Sequence, residues 1–172
     1  MYSPMTELTE NTFPILKTER LTLRQLQTSD DEEIYALRSD EDVNQYLGRT
    51  PSLSVDDARK FIQAIIESHS SYWAITLTGL NTLIGTICLY NLSDDHQQGE
   101  IGYELLPTYQ QKGIMREALS AVIDFAFKHL RVNLLEACTH ANNKASIKLL
   151  EKLNFVRHHA DEENMIVFIL HT

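Results

Sequence analysis

The sequence has no long hydrophobic run and no leader pattern. No apolar stretch approaches the roughly 18 residues that a membrane helix needs, and residues 1–10 lack the basic and apolar regions of a secretory signal. We therefore expect no membrane span, and the cytoplasm is the expected location. Hydrophobic residues make up 43% of the 172 residues, which suits one compact domain with its own core.

Cysteine is also scarce. Cys88 and Cys138 are the only two, and each lies in an apolar, strand-like run. Cysteines in such runs are typical of reduced core residues, so we predict neither a disulfide nor a catalytic thiol. The seven histidines show no ligand spacing with Cys, Asp or Glu, so we predict no metal site.

The sequence has fewer basic than acidic residues. There are 15 Lys and Arg residues against 24 Asp and Glu residues, which gives a formal net charge of −9. This balance argues against nucleic acid as a ligand, because phosphate binding requires a basic face. It is compatible with a cationic acceptor such as an amine. The acidic cluster at residues 30–42 could attract such a cation, although a solvated helix face is the favoured interpretation.

The order of apolar patterns predicts a mixed sheet with helices. Ser29-x-x-Glu32 is a capping box that opens a helix to about Arg38, and Ser54-x-x-Asp57 opens another to about Glu67. A strand–helix–strand unit at 100–139 predicts one parallel crossover. Residues 1–14 are expected to form a loose tail, ahead of a single domain at 15–172. The predicted strands are at 20–26, 72–77, 83–92, 100–106, 133–139, 155–158 and 165–170, and the later helices follow Gly113 and span 143–153.

The segment at residues 100–118 carries the strongest functional signal. A strand is followed by a polar loop around Gly113 and then by a long amphipathic helix. Such a loop directs several backbone N–H groups at one point, where the helix dipole adds positive potential, and this point binds phosphate. Gly113 is expected to need a positive φ or a close approach to a phosphate. Lys112 and Arg116 add positive charge beside it.

The spacing of the loop excludes two common phosphate sites. There is no Gly-x-x-x-x-Gly-Lys-Ser/Thr, which disfavours a nucleotide P-loop, and no Gly-x-Gly-x-x-Gly, which disfavours a dinucleotide fold. Gln110-x-x-Gly113-x-Met115 instead resembles the Gln/Arg-x-x-Gly-x-Gly/Ala signature of the GNAT-superfamily N-acetyltransferases, which hold the pyrophosphate of acetyl-coenzyme A with it. Met115 stands where that signature has Gly or Ala.

Further matches to this family follow in the expected order over roughly residues 16–170. They resemble the branch that includes the ribosomal-protein N-terminal (alanine or serine) acetyltransferases. In that comparison Asn154 replaces the usual Gly at a helix end, where Asn is the next best residue for a left-handed conformation. The matching segments are Leu21-Thr-Leu-Arg24, Leu83-Ile-Gly-Thr-Ile87, Glu100-Ile-Gly-Tyr103, Asn143-x-x-Ser146 and Glu151-Lys-Leu-Asn-Phe155.

The resemblance implies the α/β GNAT fold. This is a central, mixed, mostly antiparallel sheet of about seven strands, flanked by about four helices. Parallel strands 4 and 5 are expected to splay apart around the acetyl-pantetheine arm, next to a bulge at Leu105 and Leu106. Asn143 matches a position that contacts the cofactor, but it is equally an ordinary N-cap. The implied cofactor-binding residues are Leu105, Leu106, Gln111, Lys112, Gly113, Ile114, Met115, Arg116 and Asn143.

For the proton of the amine, the resemblance implies Glu100 as general base. Glu104 lies on the same face of the strand and is the alternative. A carboxylate in a partly apolar cleft has a raised pKa, so it can accept a proton near neutral pH.

For the leaving thiolate, many members of this family supply a tyrosine. Leu150 occupies that position here. Ser146 is the substitute that resembles the ribosomal-protein-modifying branch, and its other interpretation is a residue in the first turn of a helix. Tyr103 and Tyr109 are nearby alternatives.

The predicted function is acetyl-coenzyme-A-dependent acetylation of a primary amine by direct attack. A protein N-terminal α-amine is the first candidate acceptor, and amino acids, polyamines and antibiotics remain open. A non-catalytic acyl-coenzyme-A-binding module is the alternative from another class. The helices at 29–38 and 54–67 and their joining loop are expected to form the acceptor wall, with His140 as a further candidate contact. The chain is expected to be a monomer or a homodimer.

Overall fold

The computed structural model describes residues 13–93, 97–161 and 163–172. Within these ranges it contains one sheet of eight strands, in the order β1-β2-β3-β4-β5-β6-β8-β7. The strands are β1 (Leu16–Lys17), β2 (Leu21–Gln25), β3 (Ser71–Leu77), β4 (Leu83–Tyr90), β5 (Gln98–Leu105), β6 (Leu134–His140), β7 (Val156–Ala160) and β8 (Met165–His171). The helices are α1 (Asp31–Ser39), α2 (Glu41–Asn44), α3 (Val55–Glu67), α4 (Ile114–Lys128) and α5 (Lys144–Lys152).

The predicted mixed sheet is confirmed. All neighbouring strands pair antiparallel except β5 and β6, which pair parallel. The sequence predicted about seven strands and four helices, and the additional elements are the short β1 and the single-turn α2. The parallel pair that was predicted as strands 4 and 5 is therefore β5 and β6.

Two helical layers cover opposite faces of this sheet. Helices α4 and α5 pack on one face (the α4/α5 face) over a core that includes Trp73, Leu119 and Leu150. Helices α1 and α3 pack on the other (the α1/α3 face) over a smaller core that includes Leu37 and Ile62. Strands β3 and β4 contribute to both cores, because Trp73 and Ile84 belong to the first and Ala74 and Leu83 to the second.

The start of α1 differs from the prediction. Ser29 does not cap it, because a 3₁₀ turn at Thr28–Asp30 precedes the helix. The carboxylate of Asp30 accepts from the backbone N–H of Gln27 at 2.8 Å and pairs with Arg24 at 2.7 Å, and the residue is only 3% exposed. The first acid of the predicted acidic cluster therefore stabilises the fold instead of facing solvent. Ser54, in contrast, caps α3 as predicted, since its hydroxyl accepts from the N–H of Asp57.

The left-handed positions agree with the sequence. Asn154, after α5, has a φ of 64°, and Gly113, before α4, has a φ of 75°. The prediction that Cys138 is a core residue is wrong, because this residue is exposed on β6. No helix among the described residues is long and apolar enough to cross a membrane.

The predicted tail at residues 1–14 is only partly described. Residues 1–12, like residues 94–96, lie outside the described residues. Phe13 packs its ring edge-on against Trp73, and the indole Nε1 of Trp73 donates to the carbonyl of Pro14 at 2.8 Å. The boundary of the domain at residue 15 stays a prediction.

Candidate active site

A cleft opens where β5 and β6 diverge. The two strands pair only from Gln98–Leu134 to Glu100–Glu136, although they continue to Leu105 and His140. We call the gap beyond this pairing the strand cleft. It has the position that the sequence predicted for the splayed strands.

The backbone N–H and C=O groups of β5 point alternately toward β4 and toward the strand cleft. The N–H of Leu106 donates to the carbonyl of Ile84 at 3.0 Å, and the β4–β5 register is continuous, so the predicted bulge at Leu105 and Leu106 is absent. In an antiparallel ladder, alternate residues direct their polar groups to opposite sides. Leu105 and Tyr103 therefore direct theirs into the cleft, whereas the amide of Leu106 is bonded to β4. The carbonyl of Leu105 accepts from the side chain of Gln110 at 2.9 Å.

The loop before α4 (residues 110–113, the anion loop) has the conformation of an anion site. Gln111 and Gly113 both have positive φ, at 61° and 75°. The first N–H groups of a helix have no partner within the helix, and no described residue accepts from those of Ile114 and Met115. The side chains of both residues are buried in the core. Met115 therefore offers only its amide here, and its bulk does not obstruct the loop.

These residues fit a diphosphate. The amides converge at the N-terminus of a 15-residue helix, whose dipole favours an anion. Lys112 and Arg116 are exposed beside them. A cavity of about 640 Å³ borders the loop and is lined in part by Gly113, Arg116 and Arg20.

Two residues that the sequence analysis missed hold the anion loop in place. Glu117 accepts from the hydroxyl of Thr18 at 2.5 Å and from the N–H and Nε of Arg20 at 2.9 and 2.7 Å. Arg20 Nη1 in turn donates to the carbonyl of Lys112 at 3.1 Å. Burial acts to raise the pKa of Glu117, but the hydrogen bonds from Thr18 and Arg20 outweigh it and hold that pKa below its usual value. Only the nearby Leu21-Thr-Leu-Arg24 match could have drawn attention to Arg20.

On the α4/α5 face of the cleft, two hydroxyl groups meet. Tyr103 Oη and Ser146 Oγ lie 2.7 Å apart. The side chain of Asn143 caps α5 by accepting from the N–H of Ser146 at 3.1 Å, which fixes Ser146 in the first turn. Burial raises the pKa of Tyr103 to about 12. Leu150, where many members of the family have a tyrosine, is fully buried in the core.

On the α1/α3 face, Glu100 and Glu104 have different surroundings. Glu100 is half-buried and accepts from Asn91 Nδ2 at 2.8 Å and from the hydroxyl of Tyr90. Glu104 is only 8% exposed and pairs with Arg49 at 2.5 Å. Burial raises the pKa of Glu104, and the charges of Arg49 and Arg38 oppose that rise only in part.

The loop after α2 reaches this face of the strand cleft. Arg49 lies in this loop (residues 45–53, the joining loop), and its Nε donates to Asn44 Oδ1 at 2.8 Å. Tyr46 stacks on His140 at the end of β6, with 5.6 Å between ring centroids. The joining loop therefore spans from β5 to β6 over the α1/α3 face, where the sequence analysis expected an acceptor wall.

Two side-chain candidates remain, Tyr109 just before the anion loop and Cys88, whose sulfur lies against Gly102 of β5. Tyr109 follows β5 in a 3₁₀ turn, with the ammonium of Lys112 5.8 Å from its ring centroid. Cys88 is a free thiol whose pKa burial raises to about 12. Among the described residues, no group of three or more His, Cys, Asp or Glu side chains could hold a metal ion.

Comparisons with known proteins agree with this geometry. The family model described as the acetyltransferase (GNAT) domain matches residues 20–156. The chain is 35% identical over 147 residues to the uncharacterised N-acetyltransferase YoaA of Bacillus subtilis, with 83% of each chain covered. It is 24% identical over 148 residues to the spermidine N(1)-acetyltransferase of Vibrio cholerae, with 86% of each covered. Among solved structures, a ribosomal-protein-S5-alanine acetyltransferase from Vibrio fischeri superposes with a TM-score of 0.80 at 22% identity, covering 92% of this chain and 96% of that one.

Proposed function

The chain belongs to the GNAT family of acetyltransferases and is an N-acetyltransferase, and we propose that it acetylates a protein N-terminal α-amine by direct attack within a ternary complex. The observation that carries this proposal is the strand cleft itself. It has the anion loop at one end, the hydroxyl pair Tyr103–Ser146 on one face and Glu100 on the other.

The anion loop would hold the carrier of the acetyl group. The amides of residues 112–116, with the cationic side chains of Lys112 and Arg116, would bind the diphosphate of acetyl-coenzyme A. The N–H of Leu105, which points into the strand cleft, and the N-terminal cap of α5 at Asn143 would contact the rest of that molecule. Arg20 would support the loop through its hydrogen bonds to Glu117 and to the carbonyl of Lys112.

Glu100 would take the proton of the attacking amine. Acetyl-coenzyme A supplies a thioester whose acetyl carbon is already reactive toward amines. As the C–N bond forms and the C–S bond breaks, the amine proton passes to Glu100, directly or through water, and the sulfur departs as a thiolate. Tyr103 or Ser146 then donates a hydrogen bond to that thiolate, and the pKa of Tyr103 near 12 keeps its hydroxyl protonated for this role.

Glu100 is a better base than Glu104 for a physical reason. Arg49 and Thr86 both contact the Glu104 carboxylate, so a proton transfer there would leave the partly buried Arg49 without its ion-pair partner. Glu100 has no cation against it among the described residues, and its partners Asn91 and Tyr90 are neutral.

The acceptor is the finer part of the proposal. The similarity of Asn143-x-x-Ser146 and its neighbours to the ribosomal-protein-modifying branch supports a protein N-terminus. The spermidine N(1)-acetyltransferase among the relatives is the observation that favours a small amine as the second candidate.

Acetylation of a panel of N-terminal peptides and small amines, followed by mass spectrometry, tests the acceptor. The same assay with Glu100→Gln tests the base. We expect this variant to lose about 10²–10⁴-fold in kcat, the usual contribution of general-base catalysis, with unchanged calorimetric affinity for coenzyme A. Glu136→Gln is the matched control, because Glu136 pairs in register with Glu100 on β6 and is similarly half-buried.

Two results would overturn this proposal. The cofactor site would be rejected if coenzyme A did not bind. It would also be rejected if mutation of the anion loop left the affinity for coenzyme A unchanged. Full activity in Glu100→Gln together with a large loss in Glu104→Gln would reassign the base.

A further inference from the structure

The α1/α3 face of the strand cleft places two arginines beside one buried carboxylate, in a protein of net charge −9. Arg49 pairs with Glu104 at 2.5 Å. Arg38, from α1, acts on the same carboxylate and stacks on Phe61 with its guanidinium carbon 4.0 Å from the ring centroid. Two guanidinium groups thus share one carboxylate. We call Arg38 and Arg49 the arginine pair.

The arginine pair has donors that the protein does not satisfy. Arg38 Nε and Arg49 Nη2 are both buried, and no described residue accepts a hydrogen bond from either. A buried donor without a partner is unfavourable, and more so when it is charged. Burial and the charge of Arg49 also lower the pKa of Arg38, as expected for two cations held close together. A further anion beside the arginine pair would accept hydrogen bonds from the unpaired donors and would offset the repulsion between the two cations.

The position of the arginine pair relates it to the acceptor. Glu100, Gly102 and Glu104 share one face of β5 and lie opposite Tyr103 and Ser146. Gly102 has no side chain of its own between the two carboxylates, and Cys88 Sγ and a ring carbon of Tyr90 pack against it, each 3.3 Å from where a Cβ would lie. With a rise of about 3.3 Å per residue, Glu100 and Glu104 lie about 13 Å apart along the strand. An acceptor with its amine near Glu100 and its anion near Arg49 would thus have the two groups separated along this stretch of β5.

We propose that the arginine pair binds a carboxylate of the acceptor, so that the enzyme prefers amines that also carry a carboxylate. This inference rests on the proposed N-acetyltransferase activity and specifies its acceptor. A guanidinium group presents N–H donors in a planar fork that matches a carboxylate, which a lysine ammonium does not. Glu100 meets the amine at the other end, so the site is complementary to a molecule with both charges.

Two sources supply this chemistry. One is the α-carboxylate of a free amino acid. The other is the side chain of Asp or Glu next to the N-terminal residue of a peptide. The joining loop carries Arg49 and, through Tyr46, closes against His140, so both sources would enter past the same loop.

Matched acceptors test the proposal directly. Peptides that begin Ala-Asp and Ser-Glu are compared with Ala-Asn and Ser-Gln, and free alanine and serine are compared with their amides. We expect kcat/KM to favour the acidic member of at least one set by about tenfold or more, the scale of a charge-assisted hydrogen bond. The set that shows the preference identifies the source.

Variants of the arginine pair separate specificity from structure. In Arg49→Gln and Arg38→Gln, the preference should fall toward one through a higher KM for the acidic acceptor, while the neutral acceptor keeps its kcat/KM in Arg38→Gln. Arg38 forms no hydrogen bond to Glu104, so this variant does not break that ion pair. Arg59→Gln is the control, because Arg59 is an exposed arginine on α3 that pairs with Asp31. A merely structural role would lower activity toward both acceptors equally.

Equal rates for acidic and neutral acceptors in the wild type, or an unchanged ratio in both variants, would overturn this inference and leave the N-acetyltransferase proposal intact. Absence of any acetylated amine would instead overturn the proposed acceptor chemistry. In that case calorimetry of the same acceptor pairs in the presence of coenzyme A tests whether the arginine pair binds a carboxylate. Equal affinities for the acidic and neutral acceptors would reject this inference.

Discussion

At the scale of single residues, neighbouring groups of the same chemical type differ in what they can do because their partners differ. Glu100 and Glu104 share a strand face, yet one bonds to neutral groups and the other to Arg49. The hydroxyls of Tyr103 and Ser146, in contrast, contact each other and should act as one unit.

Removing either hydroxyl should slow departure of the thiolate. In Tyr103→Phe and Ser146→Ala we expect kcat to fall by about tenfold each, the scale of a hydrogen bond to a charged group. The double variant should lose little more than the worse single variant, because groups that act as a unit are not additive. Steady-state kinetics of the three variants provide the measurement.

The pH profile gives a second check on this pair. The pKa of Tyr103 is raised to about 12, and its acidic form is the active one, so its activity is lost only as pH rises through that value. The kcat of the wild type should therefore show no alkaline decline from Tyr103 up to pH 10. An alkaline limb at lower pH that disappears in Tyr103→Phe would contradict this assignment.

At the scale of elements, the anion loop depends on a contact from the other end of the chain. The turn between β1 and β2 supplies Thr18 and Arg20, which bind Glu117 on the first turn of α4, and Arg20 also binds the carbonyl of Lys112. Two short turns are thereby joined, and the amides of the loop keep one orientation.

Loss of this contact should weaken diphosphate binding selectively. Arg20→Gln is expected to raise the KM for acetyl-coenzyme A about tenfold, since one or two hydrogen bonds contribute on this scale. The KM for acetyl-pantetheine, which lacks the diphosphate, should stay unchanged. Lys128→Gln is the control, because Lys128 is an exposed cation on the same helix that pairs with Asp124. Equal effects on both acetyl donors would mean that Arg20 acts through general stability.

At the scale of the whole molecule, the sheet is shared by two cores. Leu119 on α4 belongs to the core of the α4/α5 face, and Leu37 on α1 belongs to the core of the α1/α3 face. Strands β3 and β4 contribute side chains to both cores, so loss of either helical layer exposes side chains of strands on which the other layer also packs.

We therefore expect one cooperative unfolding transition. Leu37→Ala and Leu119→Ala, both at fully buried positions, should each lower the free energy of unfolding by about 2–5 kcal/mol. Each kcal/mol corresponds to about 2–4 °C in Tm for a domain of this size. Leu53→Ala is the control, since Leu53 is 81% exposed. Calorimetry checks the result, and two transitions that respond separately to the two variants would contradict a shared core.

The sequence alone predicted the features that depend on neighbours along the chain. The apolar periodicity located most strands and helices, and the loop before α4 could be identified because a strand, Gly113 and a helix follow one another directly. The left-handed conformations at Gly113 and Asn154 also follow from local sterics, since few other residues tolerate a positive φ. Two predictions were wrong because they depend on tertiary surroundings: Asp30 pairs with Arg24 in a 3₁₀ turn ahead of α1, so Ser29 is not its cap, and Cys138 is exposed on β6.

Only the tertiary structure decided which distant residues share the site. Arg20 and Glu117 are 97 positions apart in the chain, and Tyr103 and Ser146 are 43 apart. No periodic pattern encodes such pairs, because they form only when the sheet order and the crossover of α4 bring separate segments together. The charge of the α1/α3 face of the cleft was decided in the same way. The overall composition is acidic, yet the folding of the joining loop over β5 places Arg49 beside Arg38 and Glu104.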